Sequence, residues 1–232
     1  VIIPNSITNY PVVGSGTCLA NDVTLNANGG TSNPTLTINS LQTLKIEGNF
    51  LMNGGTLTMQ EDAIFDVAGN WNDAAGSFDS GDGHVKLTGD GGAGTITSDA
   101  VDVGNSFYDF TIDNVEYVLT AGGLDIGSKL TVTSDGTLNI GSLFAARPAG
   151  ANATIAVGGK LEIGTGTFDI DGAFTNSGTI EITGAGTLEL GGASPVLAGT
   201  FTSGASSTVV YDRGGDQAIS NVNYFNLTVS GA

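Results

Sequence analysis

The chain has 232 residues, of which 23 are acidic and 6 are basic, so its formal net charge is −17. This charge repels phosphate backbones and anionic headgroups, and we therefore expect neither nucleic acid nor a membrane surface as a partner. The apolar residues are spread evenly, without a run near the roughly 20 that span a bilayer, so we expect no membrane insertion.

Residues 1–34 differ from the rest of the chain. They hold Pro4, Pro11 and Pro34 and the single cysteine, Cys18, which excludes an intrachain disulfide. The opening of the chain lacks a basic segment, which predicts that a secretion leader has already been removed. Because the first rung of a stacked fold must be covered, we interpret residues 1–34 as an N-terminal arm or cap.

Short runs of alternating apolar and polar residues fill the sequence from residue 35 to residue 232. Each run has three to five residues and is bounded by Gly, Asn, Asp or Ser. The whole chain contains 37 glycines. Period-two alternation predicts strands with one buried face, and the glycines predict frequent tight turns. Examples are Thr35–Ile38, Leu44–Glu47, Val85–Thr88, Leu124–Ile126, Leu130–Val132, Leu138–Ile140, Leu161–Ile163, Ile180–Ile182 and Leu188–Leu190.

Two sequence units recur along this region. One is Gly-Thr-apolar-x-apolar, which starts at Gly55, Gly136, Gly166, Gly178 and Gly186. The other is a seven-residue unit with three copies, in which Leu44 of the first copy corresponds to Phe65 of the second. The copies are Leu44 to Phe50, Phe65 to Trp71 and Phe168 to Phe174. A further match links Tyr108–Ile112 with Phe225–Val229.

The repetition favours stacking, because one short rung cannot bury its apolar face alone. The first two copies of the longer unit are offset by about 20 residues, which is a plausible coil length for a repeat protein. Glycines would then lie at the corners, with Phe50, Trp71 and Phe174 in the core rather than on a sugar-binding platform. We therefore predict an all-β, parallel β-solenoid over residues 35–232. The gaps between Gly-Thr units are irregular, which leaves a β-sandwich as the alternative fold.

The sequence predicts no catalytic residue, no cofactor and no metal site. The single histidine, His84, lies in a Gly-rich turn, and the sequence has no Gly-x-Ser-x-Gly nucleophile elbow that would supply it with a catalytic serine. Acids alternate outward at Glu162, Asp169, Glu181 and Glu189, which is typical of a solvated wall. The acidic turns at 79–83 and 89–92 fit no calcium motif. A polysaccharide-degrading β-helix is the enzyme alternative, but basic partners for its carboxylates are scarce.

The order of several motifs resembles a repeat of large bacterial surface proteins. The motifs are Val67–Trp71, Gly76–Gly81, Val85–Gly89, Ile96 and Phe107–Ile112, and a second copy runs from Phe168 through Val209, Gln217 and Ile219 to Tyr224–Val229. The resemblance implies an extracellular, right-handed solenoid of the adhesin or filamentous-haemagglutinin type, without catalytic residues.

Two functional hypotheses follow. The first is a secreted structural subunit that polymerises with itself head to tail, because a solenoid edge can template strand pairing with another chain. We predict that Ile2, Ile3, Phe225, Leu227 and Val229 lie at this contact. The second is an adhesin segment that binds a cell-surface glycan or a host protein.

Overall fold

The computed structural model describes residues 1–4, 10–27, 33–89, 92–98, 107–146 and 151–231, and all regular elements in these ranges are β-strands. Strands β1 to β9 are Ile2–Pro4, Val12–Val13, Thr17–Ala20, Val23–Asn26, Thr35–Ile38, Thr43–Ile46, Phe50–Met59, Ile64–Val67 and Trp71–Asp79. Strands β10 to β17 are His84–Leu87, Gly94–Ser98, Phe107–Ile112, Glu116–Val132, Thr137–Gly141, Phe144–Ala146, Asn152–Ile155 and Lys160–Ile163. Strands β18 to β25 are Thr167–Ile170, Phe174–Asn176, Thr179–Ile182, Thr187–Leu190, Val196–Leu197, Thr200–Ser203, Thr208–Tyr211 and Asn226–Val229.

The strands stack into three faces that run along one axis, and the chain visits the faces in the same order in each turn. The long strands β7, β9 and β13 bend around corners and contribute to more than one face. Face 1 contains β1, β4, the starts of β7, β9 and β13, and β11, β14, β17, β20 and β23. Face 2 contains β2, β5, the end of β7 and of β9, the middle of β13, and β15, β18, β21, β24 and β25. Face 3 contains β3, β6, β8, β10, β12, the end of β13, β16, β19 and β22.

Each strand pairs in parallel with the strand one turn further along the chain, which gives a β-solenoid of about 10 turns. The turns differ in length: a short turn separates Leu161 from its partner Ile180, whereas a longer one separates Leu25 from its partner Met52. The predicted β-solenoid is confirmed. The β-sandwich is wrong, because the described strands pair in parallel rather than as two antiparallel layers.

Alternation along each strand decides what the solenoid buries. Most strands show a strict pattern of half-buried and buried positions, as in β10, where Val85 and Leu87 point inward. Stacking places identical apolar positions above one another, so one continuous core runs through the turns. Phe50, Trp71 and Phe174 are all buried in it, which confirms their predicted place in the core.

A four-residue turn between faces 2 and 3 recurs in several coils. The amide of the fourth residue donates to the carbonyl of the first, as from Gln42 to Asn39 at 3.1 Å and from Ala63 to Gln60 at 3.0 Å. The third residue of each of these two turns, Leu41 or Asp62, has positive φ, which a type II turn requires. Leu41 has a φ of 61° there, although the Cβ of any residue other than glycine disfavours this conformation.

The repeated Gly-Asn unit forms a polar ladder at the corner before face 1. The Asn49 side-chain oxygen accepts from the amide of Asn70 at 2.9 Å, and Asn70 in turn accepts from the amide of Thr95 at 2.8 Å. Glycine precedes each asparagine because the turns approach closely: a Cβ on Gly69 would lie 2.5 Å from the carbonyl oxygen of Gly48. Asparagine thus satisfies corner amides that have no strand partner.

The third copy of this unit, Phe168 to Phe174, lies at a different corner. It leads from face 2 to face 3, where Asn152 accepts from the amide of Ala173 at 2.7 Å. The same local chemistry therefore serves two corners of the solenoid.

Residues 1–34 contribute strands to the stack. Strand β1 pairs with β4, β2 with β5 and β3 with β6, all in parallel and in register. Ile3 and Val13 are buried in the common core. The predicted division at residue 34 stays a prediction, but the pairing of β1, β2 and β3 continues all three faces to the N-terminal end.

Candidate functional site

The N-terminal end of the solenoid presents strand edges and an open apolar hollow. Among the described residues, β1, β2 and β3 each pair on one side only. Between them lies a hollow of about 200 Å³, lined by Val1, Ile3, Pro11, Val12, Val13, Cys18, Leu19, Ala20, Val23, Leu36 and Leu44. The hollow is the end of the hydrophobic core, with inward-facing side chains from all three faces.

Cys18 belongs to this hollow. It pairs in register with Leu44, whose side chain is buried in the core, so Cys18 occupies a core position of face 3. It is nevertheless an exposed free thiol, because the described chain has no strand beyond β3 on that face.

The C-terminal end presents the edge of β25. Leu227 and Val229 stack over the buried Val209 and Tyr211, so they face the core side of face 2. They remain 44% and 60% exposed, and Phe225 just before the strand is 56% exposed. This end therefore also carries apolar side chains without a covering layer in the described structure.

A non-strand segment, residues 213–225, covers faces 3 and 1 at this end. The Gln217 amide donates to the carbonyl of Gly192 at 2.9 Å, and Ser220 Oγ donates to the carbonyl of Pro195 at 2.8 Å. The hydroxyls of Tyr211 and Tyr224 lie 2.8 Å apart, and burial together with this bond raises the pKa of Tyr224. On faces 3 and 1 the last turn is thus fixed largely by side-chain hydrogen bonds, whereas on face 2 it pairs through the ladder of β25 with β24.

The structure divides the predicted contact residues between the two ends. Phe225, Leu227 and Val229 lie together at the C-terminal end, and Ile2 and Ile3 lie at the N-terminal end. About 10 turns separate the two groups, a distance of about 50 Å at about 4.8 Å per turn. Ile2 is 70% exposed, whereas Ile3 is buried. The predicted contact between them remains a prediction.

Face 2 carries an acidic cluster close to the C-terminal end. Asp169, Asp171 and Asp212 place carboxylate oxygens within 4.8 Å of one another. Glu189 stacks on Asp169, and burial, with the charges of Asp212 and Asp171, raises its pKa. The sequence marked Asp169 and Glu189 as outward-facing acids but missed the other two, whose proximity depends on the length of each turn.

Face 1 carries an ion-pair ladder. Lys160 Nζ lies 2.8 Å from Glu162 and 2.6 Å from Glu181, and these hydrogen bonds raise the pKa of Lys160. Asn139 donates to Glu162 at 3.3 Å and to Glu116 at 3.2 Å. The outward acids of this face are thus bound by neighbours of the same wall.

His84 is held on face 3. Its Nε2 lies 2.8 Å from Thr111 Oγ1, and burial, with the nearby charge of Lys86, lowers its pKa. In the neighbouring acidic turn, Asp79 accepts from the amide of Gly81 at 3.0 Å, which is ordinary turn chemistry. Asp90 and Gly91 of the second acidic turn lie outside the described residues.

No family model, curated protein or solved structure matches the chain. Within the described ranges, no helix has the length and apolar character needed to cross a membrane. In the described residues, the two ends are the surfaces where strand edges and apolar side chains have no covering layer, whereas the walls carry the polar clusters.

Proposed function

We propose that the chain is a non-enzymatic, extracellular structural protein that assembles with itself into a filament or surface layer by head-to-tail stacking of β-strands. The observation that carries the proposal is the distribution of charge. Residues 1–20 contain no charged side chain, and residues 217–232 contain none either, although the whole chain has a net charge of −17. The ends are therefore nearly neutral and the walls are acidic.

This distribution favours association along one direction. Acidic walls repel one another at low ionic strength, which opposes side-by-side contact. The two ends lack this repulsion and carry the exposed apolar residues Ile2, Phe225, Leu227 and Val229. Burial of apolar surface is the main driving force of protein association. End-to-end contact is thus the arrangement that the charges favour.

Backbone geometry supports the same arrangement. All described strand pairs are parallel, so the edge of β25 and the edges of β1 to β3 have the polarity that continues the stack. Such a contact joins two different surfaces and repeats without closing, which produces a filament. Each new contact would satisfy strand-edge amides and carbonyls that otherwise bond to water.

The proposal assigns no reaction to the walls. Lys160 binds two neighbouring glutamates, and His84 is bonded to Thr111 within its own face. These groups stabilise the stack that carries them. The extracellular location is what the resemblance to bacterial surface repeats implies.

A pair of charge variants on one strand tests the proposal. Leu227→Asp places a carboxylate on the core side of β25, whereas Thr228→Asp places the same charge on the outer side. We expect the unaltered chain to form polymers in light scattering and negative-stain micrographs, Leu227→Asp to be monomeric and Thr228→Asp to polymerise. A monomeric unaltered chain, or polymers that tolerate Leu227→Asp, would contradict the proposal.

A further inference from the structure

The geometry points to one register for the contact: face 2 of one copy continues onto face 2 of the next, so that β25 pairs with β2 and Val229 lies against Val13. This inference rests on the proposed head-to-tail assembly and names the strands that meet. It differs from a contact between β25 and β1, because β1 belongs to face 1.

The first step is the order of faces along the chain. The first turn runs β1, β2, β3 through faces 1, 2 and 3, and the next turn starts again with β4 on face 1. The last turn crosses face 3 at 213–222, where the amide of Ala218 donates to Ala193 at 2.9 Å, and then face 1, where Ser203 donates to Asn223 at 3.2 Å. It ends on face 2 with β25. Superposing all three faces therefore sets β2 on β25.

The second step is the inward alternation on face 2. Val13 pairs with Ile38, which is the last inward residue of β5 before the corner. Val229 pairs with Tyr211, which is the last inward residue of β24. A continuous stack places the last inward residues above one another, so Val229 meets Val13 and Leu227 meets Pro11.

The third step is the fit of side chains. Pro11 and Val13 line the N-terminal hollow, and they have apolar neighbours there in Ile3, Leu36 and Leu44. Leu227 and Val229 are inward-facing and exposed at the other end. A second copy in this register covers the hollow with apolar side chains, and it buries the Cys18 thiol, which lies in the same hollow.

Cysteine pairs test the register. In a Cys18→Ser background, one preparation carries Val13→Cys and another carries Val229→Cys, and the two are mixed under mild oxidation. Neighbouring strands lie about 4.8 Å apart, within the Cα separation that a disulfide accepts, whereas inward residues on different faces are about 10 Å apart. The control mixture replaces Val13→Cys with Ile3→Cys, which is also buried but lies on face 1.

We expect a disulfide-linked dimer from the first mixture, none from the control mixture, and protection of Cys18 from maleimide when the unaltered chain polymerises. Polymers in micrographs with a dimer only from the control mixture, or with Cys18 fully reactive, would overturn the register and leave head-to-tail assembly standing. Mixtures that stay monomeric in light scattering and give no dimer would overturn both.

Discussion

The aromatic core around Trp71 offers the sharpest test of how the solenoid is stabilised. Phe107 is fully buried, and its ring centroid lies 5.2 Å from Trp71, 5.4 Å from Phe78 and 4.4 Å from Phe110. Replacing a buried phenylalanine by alanine costs about 3–5 kcal/mol, because the lost transfer energy adds to the cost of the cavity. We expect Phe107→Ala to lower the free energy of unfolding by this amount.

Urea denaturation measures the effect, with Trp71 as the built-in probe because it is the only tryptophan. With a denaturant slope of about 2 kcal/mol per M, the unfolding midpoint falls by about 1.5–2.5 M. The matched control is Phe144→Ala, since Phe144 is 39% exposed and its loss should cost less than about 1 kcal/mol. Equal midpoints for the two variants would refute the stacked aromatic core as the source of stability.

Three further predictions concern the walls and one corner. Glu189→Gln should raise the free energy of unfolding at pH 7, because the raised pKa of Glu189 means that its charged form destabilises the folded state. The gain should vanish below pH 4.5, the ordinary pKa of glutamate. Urea titrations at several pH values measure it, and the exposed Glu61→Gln should show no such gain. Lys160→Gln should lower the free energy of unfolding by up to about 1 kcal/mol at neutral pH, and 1 M salt should remove this difference. The unaltered chain should lose the same stability as pH rises above 10.5, because Lys160 then loses its charge. The exposed Lys129→Gln should not change the unfolding midpoint. Leu41→Gly should raise the free energy of unfolding by up to about 1 kcal/mol in thermal unfolding, because glycine relieves the strain of the positive φ. Val157→Gly, at the second position of the turn 156–159 between faces 3 and 1, should lower it by about 0.5–1 kcal/mol, because this position has no positive φ. The same sign for both variants would contradict the strain at Leu41.

Much of the fold follows from local pattern. Alternation with period two determines which side chains face the core, and the spacing between Gly48-Asn49 and Gly69-Asn70 measures one turn directly. Burial of Phe50 and Trp71 follows because both are in phase with the inward positions. These inferences need only the geometry of a strand and of a stack.

Assignment of a segment to a face does not follow from the pattern. Tyr108–Ile112 and Phe225–Val229 match in sequence, yet the first lies on face 3 and the second on face 2. The reason is physical: the corners share the same chemistry, so sequence similarity does not reveal which corner a segment follows. Turns of unequal length, such as those that follow Leu25 and Leu161, shift the register further.

The end surfaces were only partly predictable for the same reason. The place of Leu227 and Val229 in the sequence is enough to indicate apolar residues at the C-terminal end, but their partner position at the other end depends on the face that each strand occupies. Val13 and Cys18 acquire their role only when β2 and β3 are seen to line one hollow. The proximity of Asp171 and Asp212 likewise required the lengths of the intervening turns.

Strands that run across the long axis, with hydrogen bonds parallel to it, give the molecule an unusual response to mechanical load. Tension between the chain termini loads only the strand ladders at the ends of the stack. The turns should therefore unfold one after another from the ends, instead of all strands shearing apart at once. A released turn of about 20 residues yields about 70 Å of extended chain, although it occupies only about 4.8 Å of column. Such a solenoid would lengthen many-fold under force by releasing one turn at a time. It would shorten again when the force is removed, as each released turn pairs with the remaining stack.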